Sequence, residues 1–67
     1  MLSARNQFVG KIKSVKLGTV MAEVVVAVGN LEVVADITRG SAESLGLKVG
    51  DTVKAVVKAT EVMIDKG

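Results

Sequence analysis

Apolar positions recur at every second residue along most of this chain, and nowhere do they recur at every third and fourth over a sustained stretch. The pattern therefore predicts strands rather than amphipathic helices. From Phe8 to Leu17 the alternation changes phase: Phe8, Gly10 and Ile12 fall on one face, Val15 and Leu17 on the other. A period of two shifts only where an extra residue intervenes, so a bulge or bend is expected near Gly10 or Ser14. Gly18-Thr19 reads as a turn. Met21 to Val28, MAEVVVAV, is apolar at nearly every position, as in a strand covered on both faces. Gly29-Asn30 separates it by two residues from the next β-rich run, the spacing of a tight hairpin. The return strand, Leu31 to Ile37, alternates Leu31, Val33, Ala35 and Ile37 against Glu32, Val34 and Asp36.

TRGSAESLGLKVGD then breaks the β pattern. Ser41 reads as a helix N-cap, Ala42 to Leu45 as about one helical turn, and Gly46 as the residue that ends it. On that register Ser44 occupies N3, where a capping box would carry Glu or Gln. Gly50-Asp51 turns the chain into a last strand, Thr52 to Ile64, which Lys58-Ala59-Thr60 interrupts and divides in two. Five short strands and one short helical turn predict an all-β fold: a small OB-like Greek-key barrel, with residues 1–67 as one domain.

Composition adds a second expectation. The chain has 67 residues, of which 49% are hydrophobic, and Phe8 is its one aromatic. A domain this small is marginal unless something staples it, and without Cys or His there is neither a disulfide nor a zinc site of the usual kind. Apolar side chains on both faces of the middle strands exceed what one small core hides, so a homo-oligomer with a shared core is expected. Nine basic and seven acidic residues give a formal charge of +2, too mild to argue for nucleic acid by itself. The longest apolar run, near Val24 to Leu31, falls far short of the ~20 residues that span a bilayer. No apolar segment of signal-peptide type follows the N-terminus, and the lack of Cys fits a reducing compartment. A cytoplasmic protein with no membrane partner is expected. Without His or Cys there is no Ser-His or Cys-His nucleophile, and the seven carboxylates show no suggestive spacing. The chain reads as a binder, not an enzyme.

Three donor-rich clusters stand out: SARNQ, Ser3 to Gln7; Thr38-Arg39-Gly40-Ser41; and Lys58-Ala59-Thr60. Each has an ordinary reading, as a polar strand entry, a strand end with a helix cap, or solvated outward positions. Together they offer hydroxyls, a guanidinium and an ammonium with no carboxylate among them, beside a helix start whose free N–H groups favour anions. A site without an acceptor suits a fully ionised dianion better than a protonated phosphate. The rival for an OB barrel is a nucleic-acid-binding module, which relies on aromatic stacking platforms and a basic groove. One aromatic and no basic stripe count against it.

SARNQ followed by a GKI strand, ITRGSAESLGLKVGD, and KATEVMI near the end together resemble the molbindin, or Mop, family of molybdate-binding proteins. The same module resembles the ligand-sensing domains of molybdate-responsive regulators and the C-terminal domains of molybdate transporter ATPases. The likeness covers essentially the whole chain in order and spacing. It implies assembly into a hexamer, a trimer of dimers, with molybdate or tungstate held between subunits and no cofactor; molybdenum enters only as the oxyanion. Matched motif by motif, Ser3 and Arg5, Thr38 and Ser41, and Lys58 and Ala59 would contact the ligand, Ala59 through its main chain. Thr60 joins them as the hydroxyl of the third cluster, whereas Arg39 matches no binding position and reads as a bystander. The family's second kind of site, near a threefold axis, is implied without residues here. The chain starts two residues before SARNQ and stops after the last strand, so storage is expected rather than regulation or transport.

Overall fold

A computed structural model describes residues 5–67. The element order is β1 (Asn6–Leu17), β2 (Met21–Val28), β3 (Leu31–Thr38), α1 (Arg39–Leu45), β4 (Thr52–Val57) and a 3-10 turn at Ala59–Glu61. All pairings are antiparallel and the sheet order is β3-β2-β1-β4. Three strands meander and the fourth returns through α1 to lie beside the first, which is Greek-key connectivity.

β1 organises the sheet. Its first half, Asn6 to Lys11, pairs with β4, and its second half, Lys11 to Leu17, pairs with β2. Between Ile12, opposite Val26, and Ser14, opposite Val25, the register slips, so Lys13 is the extra residue of a bulge. The phase change in the sequence has this cause. Across the bulge Ile12 and Val15 both reach the core side, opposite buried Val26 and Val24. Lys13 stays outside and pairs with Glu32 of β3.

Gly10 sits where β1 passes between its two partners. A Cβ there would lie 2.3 Å from the Ala27 carbonyl oxygen and 2.9 Å from methyls of Val26 and Val28. Only glycine lets the strands approach so closely.

The core is small: Ile12, Val24 and Val26 form it, with Val15, Val28, Ile37, Leu47 and Val53 packed against them. Each fully buried Val or Ile side chain contributes about 1.5–3 kcal/mol. α1 adds Ala42 as its one buried residue. The helix ends at Gly46, whose φ of 61° is left-handed. Gly46 N–H donates to Glu43 C=O and Leu47 N–H to Ala42 C=O, the paired bonds of a Schellman motif, which swings Leu47 back onto the core.

Two details differ from the sequence expectation. The N-cap is Thr38, not Ser41, and the helix begins at Arg39. Thr38 ends β3 opposite Met21 and caps α1 at once, so strand and helix abut without a linker. Ser41 is therefore N3, the position assigned above to Ser44. The strands number four among the described residues, not five. Pairing of β1 with β4 stops at Asn6–Val57, the chain then turns through Ala59–Glu61, and Val62 to Ile64 run on outside any sheet, with Met63 and Ile64 about nine-tenths exposed. The apolar alternation there reads as a strand, but a strand needs a ladder partner, and none of the described residues supplies one. β3 and β4 are likewise not bonded to each other among the described residues, which leaves an apolar cavity of about 240 Å³ lined by Ile12, Val24, Ile37, Leu47 and Val53.

Candidate functional site

The second donor cluster is tightly wired. Thr38 Oγ1 accepts from the Ser41 backbone N–H at 3.1 Å, and its hydroxyl donates to Ser41 Oγ at 2.8 Å. The two candidate hydroxyls are thus one hydrogen-bonded pair, both exposed. Ser41 Oγ, as the acceptor of that pair, keeps its own proton for another acceptor. Arg39, between them in sequence, has partners of its own. Its N–H donates to Val20 C=O at 2.8 Å, its Nη1 donates to Gly18 C=O at 3.2 Å, and its Nε lies 3.4 Å from Glu43 Oε1. The T-x-x-S spacing was the signal that could have revealed the cap. Nothing local to Arg39 in the sequence points to its hold on a turn twenty residues upstream.

The first and third clusters meet elsewhere. Asn6 pairs with Val57, so Arg5 and Lys58 flank the last rung of the β1–β4 ladder. Both are exposed, and neither takes part in either ion pair found among the described residues, Lys13–Glu32 and Arg39–Glu43. Lys58 caps the 3-10 turn that carries Ala59 and Thr60. Ser3 lies outside the described residues. The structure therefore brings Arg5, Lys58, Ala59 and Thr60 to one end of β1, and Thr38 with Ser41 to the other, beside the turn that follows Leu17. It does not bring the two groups together within one chain.

Nothing in this arrangement resembles a metal centre: among the described residues no three His, Cys, Asp or Glu side chains gather as ligands. No helix among them is long and apolar enough to cross a membrane. Phe8, the single aromatic, lies on the β1–β4 half of the sheet opposite Ala55 and offers one stacking surface at most. What the two groups offer chemically is donors: cations at one end, oriented hydroxyls at the other, and no carboxylate within either candidate set.

Comparison with known proteins covers nearly the whole chain. Residues 2–64 match the TOBE domain. The chain belongs to the TOBE domain family. Molybdenum-pterin-binding protein 3 of Clostridium pasteurianum is 48% identical to it over 64 residues, 94% of each chain. The structure of a molybdate-binding protein from Sporomusa ovata superposes with a TM-score of 0.94 at 42% identity, over 98% of both chains. The molybdate-bound form of ModG, described as a cytoplasmic molybdate-binding protein, matches 88% of this chain and 43% of its own, with a TM-score of 0.83 at 40% identity. The resemblance to the Mop family is thus borne out, and so is an OB-like, antiparallel fold with one short helix. The chain spans nearly the full length of the first two of these proteins and under half of the ModG chain.

Proposed function

We propose that this TOBE domain binds molybdate, and tungstate with it, as an oxyanion at sites formed between copies of the chain, and that it serves molybdenum storage in the cytoplasm. The observation that carries the reading is the whole-chain likeness, at 42–48% identity, to proteins described as binding molybdate or molybdenum-pterin. The geometry supports the shared site. In one chain the cations Arg5 and Lys58 stand at the far end of β1 from the Thr38–Ser41 pair, so a second copy is needed to bring both groups around one ion. A tetrahedral dianion between them would accept from a guanidinium, an ammonium and hydroxyls, none of which is a carboxylate. Ser3 would join the cationic group through SARNQ, with Ala59 contributing only its main chain and Thr60 a further hydroxyl.

Assembly has independent support in the apolar surface. Val9, Val20, Leu31, Val34, Met63 and Ile64 are exposed in the single chain, and the apolar cavity between β3 and β4 is uncovered. A second copy of this chain is the occupant we assign to these faces, in a homo-oligomer that is a hexamer, a trimer of dimers. No catalytic step is assigned; the chain binds and releases its ligand.

Isothermal titration of molybdate, tungstate, sulfate and phosphate against the assembled protein is the test. Saturable binding of the first two, absent or far weaker for the others, supports the reading. Tight, salt-tolerant binding of single-stranded DNA with no response to molybdate would replace it by the nucleic-acid module.

A further inference from the structure

We propose that Arg39 is a positioning residue of this site: by gripping the β1–β2 turn it fixes the orientation of the Thr38–Ser41 hydroxyl pair. The inference rests on the proposed oxyanion site and goes beyond it, since Arg39 matches no ligand-contact position.

Few apolar contacts hold the start of α1. The helix has seven residues, too few to be stable alone. Ala42 is its single buried side chain, and Leu45 is more than two-thirds exposed. Leu47 anchors the C-terminal end through the Schellman motif, whereas Arg39, Gly40 and Ser41 of the first turn are all exposed and bury nothing. Polar contacts must therefore set its orientation at the N-terminal end, where the hydroxyls are.

Arg39 supplies those contacts from both sides. Its main-chain N–H and its Nη1 reach Val20 and Gly18, two carbonyls of the turn after β1. Its Nε faces Glu43 one helical turn on, which holds the guanidinium plane across the gap. The turn is itself closed by Gly18 N–H donating to Met21 C=O at 2.7 Å. Thr38 and Ser41 flank Arg39 in the chain, so a residue fixed at three points, two of them on its guanidinium, carries both hydroxyls with it. The planar fork matters here. A lysine at this position would keep the charge but could not face Gly18 C=O and Glu43 together.

Two other roles would give different results. If Arg39 only contributed positive charge near the anion, Arg39→Lys would behave like the parent. On the same Coulomb argument, removing the Glu43 carboxylate would tighten oxyanion binding. Positioning predicts the reverse sign, because Glu43 orients the guanidinium.

The experiment is molybdate titration of the assembled parent, Arg39→Ala, Arg39→Lys and Glu43→Ala at one ionic strength, with amide hydrogen exchange of the ligand-free proteins alongside. Losing one exposed charge-assisted hydrogen bond should raise Kd roughly three- to tenfold in Arg39→Ala. Arg39→Lys should fall nearly as far, and Glu43→Ala should weaken binding about twofold, in line with an exposed i,i+4 pair. Exchange should quicken at the Ser41 amide and in residues 18–20, but not in the β2–β3 ladder. Parent-like binding by Arg39→Ala or Arg39→Lys, or tighter binding by Glu43→Ala, overturns the proposal while leaving the oxyanion site standing. A parent that binds no molybdate overturns the site itself and the positioning role with it.

Discussion

At the Leu17 end of β1, Thr38, Arg39 and Ser41 are tied to one another, to Glu43 and to the turn at residues 18–20. At the Asn6 end, Arg5 and Lys58 stand exposed, outside both ion pairs found among the described residues, and the tail that follows leaves Met63 and Ile64 about nine-tenths exposed. One end arrives preorganised; the other presents charge. On the proposed site, the difference decides which part of the binding free energy each end would supply. Neutral hydroxyls gain by being held in place before the ligand comes, since their individual hydrogen bonds are modest. Cations on long side chains supply strength but must be ordered on binding, which costs about 0.5–1.5 kcal/mol for each immobilised side chain.

The comparison breaks hardest when the cationic end is removed. Arg5→Ala with Lys58→Ala deletes two charge-assisted donors at about 1.5–3 kcal/mol each, so molybdate affinity should fall by roughly two to four powers of ten while the oligomer persists. Titration calorimetry with sedimentation alongside reads both. Molybdate affinity near that of the parent would mean that SARNQ is only a polar strand entry.

Next in size is a change that strikes both ends together. Gly10→Ala forces a methyl against the Ala27 carbonyl, where β1 passes from β4 to β2. Overpacking of this kind costs about 1–3 kcal/mol, which lowers the Tm of a domain this size by roughly 4–8 °C per kcal/mol. Thermal unfolding at fixed protein concentration should show the drop. An unchanged Tm would mean that the two halves of β1 are not held in the close approach described.

These two variants also mark what the sequence made legible. β2, β3 and the Gly29-Asn30 hairpin follow from alternation and turn chemistry alone, and Gly46 ends α1 as its conformational freedom requires. The phase change in β1 foretold a bulge. What it could not tell is that the bulge returns Val15 to the same side as Ile12, because that depends on the partner's register. The N-cap was misplaced since Thr38 belongs to a ladder and a helix at once, and a pattern read along one chain assigns it to the strand. Val62 to Ile64 look like a strand because alternation describes side chains, whereas a strand also needs a backbone partner. The donor clusters were visible as clusters. Their separation to opposite ends of β1 was not, because it follows from strand order, and Arg39's hold on Gly18 is a long-range contact that no local motif announces.

The wired end gives a smaller response. Thr38→Ala removes a helix cap, worth about 1 kcal/mol of stability, and one neutral hydroxyl from the pair. Affinity should fall about two- to tenfold, with Tm falling in parallel; Ser41→Ala, which leaves the Thr38 cap in place, should lose affinity with less change in Tm. Equal Tm losses in the two variants would contradict Thr38 as the N-cap. Smallest of all is Lys13→Ala. It breaks an exposed ion pair with Glu32, worth up to about 1 kcal/mol, and should leave molybdate affinity unchanged. A clear loss of affinity there would enlarge the site beyond the two ends.

The most direct test of a site shared between copies is complementation. Arg5→Ala/Lys58→Ala chains and Thr38→Ala/Ser41→Ala chains, each assembled alone, should bind molybdate weakly. Refolded together in equal amounts, they should recover parent-like affinity at roughly a quarter of the sites, because random mixing joins an intact cationic end from one copy to an intact hydroxyl pair from another that often. If each site were built within a single chain, no chain in the mixture would carry both intact ends. Mixed assemblies that bind no better than either variant alone would contradict the account.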